Sequence, residues 1–408
     1  MALDGGIVGR AGVISQVAEA ISSSREGTAR VLSIVGAPGS GKSTIVEAAA
    51  GLAGPDDLVL RATGHPAETD LPYAALHQLL RPVEGQLGPV LRGALALEPA
   101  APADRMTIAA SLLDLISALA ADRSLLLLID DVHWIDAASR QALTFCARRL
   151  DADSVTLILS GWPTPETPVV GNPVVLDPLD DESASAILRR RHSRLHTTVA
   201  ERIIAAAEGL PLALVEMGDA LSDEQRGGAE ALPDILPVGP ATGRLYAPRL
   251  DRLDDCSLRA LVIAALMPGT AGALAGALRT AGLSDADLGL PESLGLIGLV
   301  DGRWTFSHPT VRSAVLDRAG PALVRASHGL LAGVTDGAVR AWHLHRAATG
   351  PDPAAAVALA AAAEEAEARG GLVEAADCWI ASIAHRPAGS GRYAATERAA
   401  ECLLATGM

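Results

Sequence analysis

At 408 residues, 49% hydrophobic and 20% charged, the chain has material for two to four domains with sizeable cores, and a largely disordered chain is excluded. The net charge of −15 repels phosphate backbones and disfavours bulk binding of DNA or RNA. Its four cysteines, Cys146, Cys256, Cys378 and Cys402, are far apart. That spacing excludes a Cys-x-x-Cys zinc site and a disulfide framework, and it fits a reducing cytoplasm. The opening Met-Ala-Leu-Asp lacks the basic lead and apolar run of a signal peptide. The apolar run Leu125–Ile129 is of strand length, far short of the ~20 residues of a spanning helix, so a soluble, cytoplasmic protein is expected.

In chain order, residues 31–35 (Val-Leu-Ser-Ile-Val) form a β-rich run that leads into Gly36-Ala-Pro-Gly-Ser-Gly-Lys-Ser43 and then a helix from Thr44 to about Gly51. Leu58–Arg61 is the next strand. Tyr73–Leu80 and Arg105–Ala120 carry helical periodicity, the second with Ile108, Leu112, Leu115, Ile116 and Leu119 on one face. Leu125–Ile129 is a buried strand, 138–150 a helix, Val155–Ser160 another buried strand and Val174–Leu176 a last one. Strands alternating with helices imply an α/β fold with a parallel sheet covered on both faces.

Five prolines (Pro163, Pro165, Pro168, Pro173, Pro178) then interrupt regular structure, before helices over 180–194 and 198–208 that end at Gly209. A turn-rich stretch, 227–240, reads as a linker. Helical patterns over 256–267, 271–281 and 284–294 precede a hairpin, Ile297–Val300 and 303–307, joined by the strong two-residue turn signal Asp301-Gly302. Three helices and a hairpin are the parts of a winged helix. From about 321 the chain is alanine-rich and helical, with Gly370-Gly371 marking a helix–helix turn. The domains expected are a nucleotide-binding domain over 1–178, a helical lid over 179–238, a winged-helix-like domain over 239–320, and the start of a repeat-like sensor region over 321–408.

The segment Gly36-x-x-x-x-Gly41-Lys42-Ser43 matches the P-loop pattern in full. Its glycines, Gly36, Gly39 and Gly41, let consecutive N–H groups of the loop (Pro38, which has none, excepted) turn around phosphates, Ser40 through Thr44 included. Lys42 is placed to reach the β- and γ-phosphates and the Ser43 hydroxyl to ligate Mg²⁺. Only one of the 33 basic residues is lysine, and it is Lys42. The plainer reading, a glycine-rich turn ahead of an ordinary helix, is outweighed by that placement and by the strand–loop–helix context. About ninety residues downstream, Leu125–Ile129 ends in Asp130-Asp131. A buried strand that ends in acids delivers carboxylates to the edge where the P-loop lies. Asp130 is the candidate Mg²⁺ partner and Asp131 the candidate that orients or deprotonates the attacking water. ATP or ADP with Mg²⁺ is the cofactor expected.

Further segments carry a family resemblance: Ile7-Val8-Gly9-Arg10, Pro72-Tyr73-Ala74-Ala75-Leu76-His77-Gln78-Leu79-Leu80-Arg81-Pro82, and Asp130-Asp131-Val132-His133-Trp134-Ile135-Asp136. To these add Glu208-Gly209-Leu210-Pro211-Leu212-Ala213-Leu214, Phe306-Ser307-His308-Pro309 with Arg312, and Ala341-Trp342-His343-Leu344. Together with the P-loop they resemble, in order along nearly the whole chain, the large ATP-binding regulators of the LuxR type, which belong to the signal-transducing STAND class of P-loop ATPases. The resemblance implies an ATP-dependent switch of nucleotide domain, lid, winged helix and a helical region that senses a ligand or protein partner, with self-association as a further possibility. It implies that Gly9 and Arg10 sit near the base and sugar, that Pro211 packs on adenine, and that His308 holds an ADP-bound state.

Two positions depart from the pattern. Ala11-Gly12-Val13 stand where an acid is expected after Arg10, and Gly161-Trp162 stand where an arginine that senses the γ-phosphate is usual. Tight binding with slow turnover is therefore expected. Family members usually run on to a DNA-reading helix-turn-helix, and none precedes Met408. Either the natural protein is longer or it is a short member signalling through protein contacts, so DNA binding through this chain alone is disfavoured.

Other residues read more plainly. His192 and His196, at i, i+4 of a helical stretch, have no third ligand near and read as surface histidines, and the arginines around them as a solvated face. His343 and His345 point to different sides of a helix and do not make a metal site. Cys146 reads as core. The alternative function is an active AAA-like ATPase that remodels a protein partner; a metabolite kinase is a third class.

Overall fold

The computed structural model describes residues 7–99, 103–151, 153–163, 167, 172–233, 235–267 and 270–405. These form two compact units, one up to Gly218 with Ser222–Glu230, the other from Ala231 on with Asp219–Leu221.

The first unit is built on strands β1 (Arg30–Gly36), β2 (Leu58–Thr63), β3 (Leu125–Asp130), β4 (Val155–Gly161) and β5 (Val174–Leu176), in the order β2-β3-β4-β1-β5. Every pairing is parallel. Alternate residues of a strand face opposite sides. So Leu125, Leu127 and Ile129 enter one core with Leu157 and Leu60, while Leu126 and Leu128 enter another with Ile34 and Ile158. Burial on both faces is why β3 reads as a continuous apolar run. One face is covered by α1 (Ala11–Arg25) and α2 (Lys42–Gly51), the other by α3 (Ala74–Leu80), α4 (Arg105–Asp122) and α5 (Ala137–Ala147). This is a P-loop NTPase-like α/β fold, as the alternation of strands and helices predicts.

Several elements differ from expectation. Helix α1 was not anticipated, although Val17, Ala20, Ile21 and Ser24 face inward and Val13 and Ile14 pack against the same core at helical spacing. Helix α6 (Asp181–Arg191) stops short of residue 194. His192 caps its C-terminus and His196 the N-terminus of α7 (Thr197–Ala207), so the two histidines do not share a helical face. Of the five prolines after β4, Pro165 and Pro168 lie outside the described residues. The unit continues into α8, Pro211–Ala220.

The second unit opens with α9 (Pro240–Leu250), which starts where the linker was expected to end, then α10 (Asp255–Leu266) and α11 (Ala271–Thr280). In place of a helix over 284–294 stand a 3₁₀ turn, Asp285–Leu288, and one short helical turn, Gly289–Ser293. Strands β6 (Ile297–Val300) and β7 (Arg303–Phe306) pair antiparallel. Asp301 and Gly302 both have positive φ, 49° and 72°, the backbone a two-residue hairpin requires. Helix α12 (Pro309–Ala332) kinks at Gly320-Pro321, where Gly320 has φ 73°. Then α13 (Gly337–Ala347), α14 (Pro353–Ala368), α15 (Leu372–Ala384) and α16 (Ser390–Ala405) each pack against the next, around an alanine-rich core with Leu359 and Trp379.

Among the described residues, no helix is long and apolar enough to cross a membrane, and no group of three or more metal-ligating side chains forms.

Candidate nucleotide site

The sheet order places β4 between β1, which feeds the P-loop, and β3, which ends in the aspartates. The three C-terminal ends therefore frame one crevice, where open parallel sheets bind ligands.

The P-loop leaves β1 at Gly36. A Cβ there would lie 2.6 Å from Ser40 Oγ, so only glycine lets the loop fold back this closely. Gly39 and Gly41 take φ of 78° and 95°, which turn successive N–H groups inward. Helix α2 starts at Lys42 without a side-chain cap, leaving its first N–H groups to a ligand. Ser43 and Thr44 are exposed at that helix start, and Pro38 is half-buried on the loop. Lys42 is 5% exposed, and its ammonium donates to Gly36 O at 3.0 Å and Ala37 O at 2.8 Å. Burial lowers its pKa to about 8, with Asp131 and Asp130 pulling back up. Among the described residues, the buried Ser40 Oγ meets no hydrogen-bond partner. A ring of inward N–H groups, a buried ammonium and an unsatisfied hydroxyl fit a bound polyphosphate.

Asp130 ends β3, and its Oδ1 accepts from the Asp131 N–H at 3.0 Å and from the Ser160 hydroxyl on β4. Asp131 stands in the left-handed region, φ 51° and ψ 47°. Burial and the Asp130 charge raise its pKa to about 6, opposed by Lys42. A carboxylate ionised near neutrality yet close to its pKa suits general-base chemistry. Gly64, after β2, donates its N–H to Asp130 O at 2.9 Å. A Cβ on it would lie 2.2 Å from Asp131 O.

Beyond the acids, His133 stacks on Trp162 with centroids 4.0 Å apart and planes 25° apart, and Trp134 meets Trp162 edge-on at 5.6 Å. Burial, then Lys42, lowers the His133 pKa to about 4. Asp136 is 2% exposed and accepts from the N–H groups of Ser139 (2.8 Å), Tyr73 (2.8 Å) and Ala75 (3.2 Å). It thereby ties the segment 72–82 to the segment 130–136.

Two further predicted residues meet the P-loop. Arg10, buried, donates from Nη2 to Ser40 O at 3.3 Å; burial lowers its pKa, with Asp177 opposing. Gly9 has φ 71°, and a Cβ there would strike Leu179 and Ser183. Pro211 opens α8, whose Leu212 N–H donates to Gly39 O at 3.3 Å. A cavity of about 370 Å³ opens beside the loop, its walls including Val8, Arg10, Thr44, Ile187 and Pro211. Its mainly apolar walls suit a flat heterocycle. A second cavity, about 620 Å³, lies at the end of β2 between Gly64 and Tyr73, away from the P-loop.

His308 belongs to the second unit. It caps α12, accepts the Thr310 N–H at Nδ1 (3.1 Å) and lies 2.7 Å from Thr310 Oγ1, which is 2.7 Å from the Tyr246 hydroxyl. Sequence reasoning missed Ser160, Gly64 and the anchoring part of Asp136. Only Ser160 left a signal, as a hydroxyl that follows the apolar run Leu157–Leu159.

Residues 6–159 match the family described as AAA ATPase domain. No curated protein matches the sequence. Among solved structures, a Walker-type ATPase of Pyrococcus abyssi is 16% identical with a TM-score of 0.45, covering 74% of this chain and 94% of its own. A Signal Transduction ATPase with Numerous Domains (STAND) protein with a tetratricopeptide repeat sensor, from Pyrococcus horikoshii, is 15% identical with a TM-score of 0.36. It covers 95% of this chain, which spans 61% of that protein's length. Cdc6p of Pyrobaculum aerophilum is 12% identical with a TM-score of 0.40, covering 80% of this chain and 96% of its own. The segment that bears the P-loop and both aspartates thus matches an AAA ATPase domain, on a P-loop NTPase-like parallel sheet.

Proposed function

We propose that the chain is an ATP- and ADP-binding switch of a LuxR-type transcriptional regulator, in which slow magnesium-dependent ATP hydrolysis controls domain packing or self-association. The observation that carries the reading is the convergence, in one unit, of the P-loop with buried Lys42, the strand-end pair Asp130 and Asp131, and the cavity beside Arg10 and Pro211.

In this reading the N–H groups of Gly39–Thr44 bind the phosphates, and Lys42 exchanges loop carbonyls for phosphate oxygens. Ser43 and Asp130 would hold Mg²⁺, which supplies charge neutralisation across the β- and γ-phosphates. Asp131 orients or deprotonates the attacking water. Gly9, Arg10 and Pro211 position sugar and base. The lid (179–238), the winged-helix-like part (239–320) with His308, and the sensor region (321–408) respond to nucleotide and to an effector or protein partner. A switch requires that its two states differ in affinity for ATP and ADP.

The AAA ATPase domain match favours a second reading, an active AAA-like ATPase that remodels a protein partner. One experiment separates them: titration of labelled ATP and ADP with Mg²⁺ on wild type and Lys42→Ala, followed by phosphate release. Saturable binding lost in the variant, with slow release, supports the switch. Sustained turnover of many ATP per second supports the remodeller, and no binding by wild type overturns both.

A further inference from the structure

We propose that His133 reads the γ-phosphate, donating its Nε2–H to an oxygen that ATP brings and ADP lacks; this rests on the nucleotide reading above. His133 lies in the turn Val132–Trp134, just past Asp130-Asp131. Its ring is held at the C-terminal end of β4: it stacks on Trp162, and its Nδ1 comes within 3.5 Å of where a Gly161 Cβ would stand. That strand end lies between the P-loop of β1 and the aspartates of β3.

The Trp162 N–H points at His133 Nδ1 at 3.4 Å. With Nδ1 accepting, the neutral ring carries its proton on Nε2. This Nε2–H is enclosed and, among the described residues, has no hydrogen-bond partner. Buried donors are rarely left unpaired, because the desolvated group is destabilising until an acceptor arrives. The acceptor this crevice would receive in the nucleotide reading is a phosphate oxygen, and Lys42, whose charge reaches Asp130, Asp131 and His133, marks the γ-phosphate as the one on that side. Trp162 places no cation at this edge, and the Ser160 hydroxyl is engaged by Asp130, which leaves the histidine as a donor beside the β4 end.

The test is equilibrium titration of the full chain with Mg-ATP and Mg-ADP, as wild type, His133→Ala and His133→Gln. Glutamine keeps an amide N–H at the reach of Nε2. His133→Ala is expected to weaken ATP about tenfold or more, the effect of losing a hydrogen bond to a charged group, and to leave ADP within about twofold. His133→Gln is expected to retain most of the ATP preference. Equal losses for both nucleotides in His133→Ala, or an unchanged ATP affinity, overturn the inference while leaving the nucleotide reading intact. If wild type binds neither nucleotide, both fall.

Discussion

Gly64 shows how a single residue far from the P-loop constrains the chemistry. A methyl group there would meet Asp131 O at 2.2 Å and Ile135 N at 3.0 Å, both backbone atoms that no rotamer change can move. Gly64→Ala is therefore expected to cost about 2 kcal/mol or more and to displace Asp131. Thermal melting should show the first effect, and phosphate release a loss larger than the change in ADP affinity. Ser160 acts on the neighbouring carboxylate: its hydroxyl holds one oxygen of Asp130. Ser160→Ala leaves that oxygen to the Asp131 N–H alone, and the Mg²⁺ concentration for half-maximal ATP binding should rise several-fold, roughly one hydrogen bond's worth. Lys42, Ser43, Asp130 and Asp131 were legible because their chemistry is written in local spacing. Gly64 and Ser160 were not, since each meets the aspartates only across a neighbouring strand.

Among the elements, the strands were the most readable and the helix ends the least. β3 and β4 are buried on both faces, so their apolar runs mark them nearly residue for residue. Helix α1 carries Val13, Ile14, Val17 and Ile21 at helical spacing toward the core, a short period ahead of the first strand that the sequence reading passed over. The junction between α3 and the turn before α5 is held by one carboxylate, Asp136, which caps α5 and accepts from both Tyr73 and Ala75. Replacement by alanine leaves three N–H groups unpaired in a buried place. Asp136→Ala is expected to cost about 3 kcal/mol, more than an exposed cap, while Asp136→Asn retains part of it. Chemical denaturation of the two variants checks the order. Tyr73, with φ 64°, owes its unusual backbone to the same anchor, which no pattern within 72–82 reveals.

Over the whole molecule, the alanine-rich helices of the second unit are fastened by histidines in pairs. His328 Nδ1 meets His343 Nδ1 at 2.8 Å, and His345 Nδ1 meets His385 Nε2 at 2.8 Å. The sequence correctly sent His343 and His345 to different sides of α13, but their partners lie on α12 and just beyond α15. Burial lowers the His343 pKa. Between the ordinary histidine value of about 6.5 and the lower folded value, the unfolded chain holds the extra proton. Stability therefore rises with pH through that window and is lost as pH falls below about 6.5. Melting followed from pH 8 down to 5 should show this slope, to which His133 also contributes, and His343→Leu should make it shallower.

The sequence by itself determined the α/β character of the first half, the P-loop with its strand-end acids, and the helical second half, because these depend on periodicity and spacing within a dozen residues. Only the tertiary structure decided the strand order, which lays β4 between P-loop and aspartates, the hydrogen bonds by which Arg10 and Leu212 hold the loop, and the division into two units. Those depend on contacts between residues 30 to 200 positions apart, and chain closure over such distances leaves no local pattern to read.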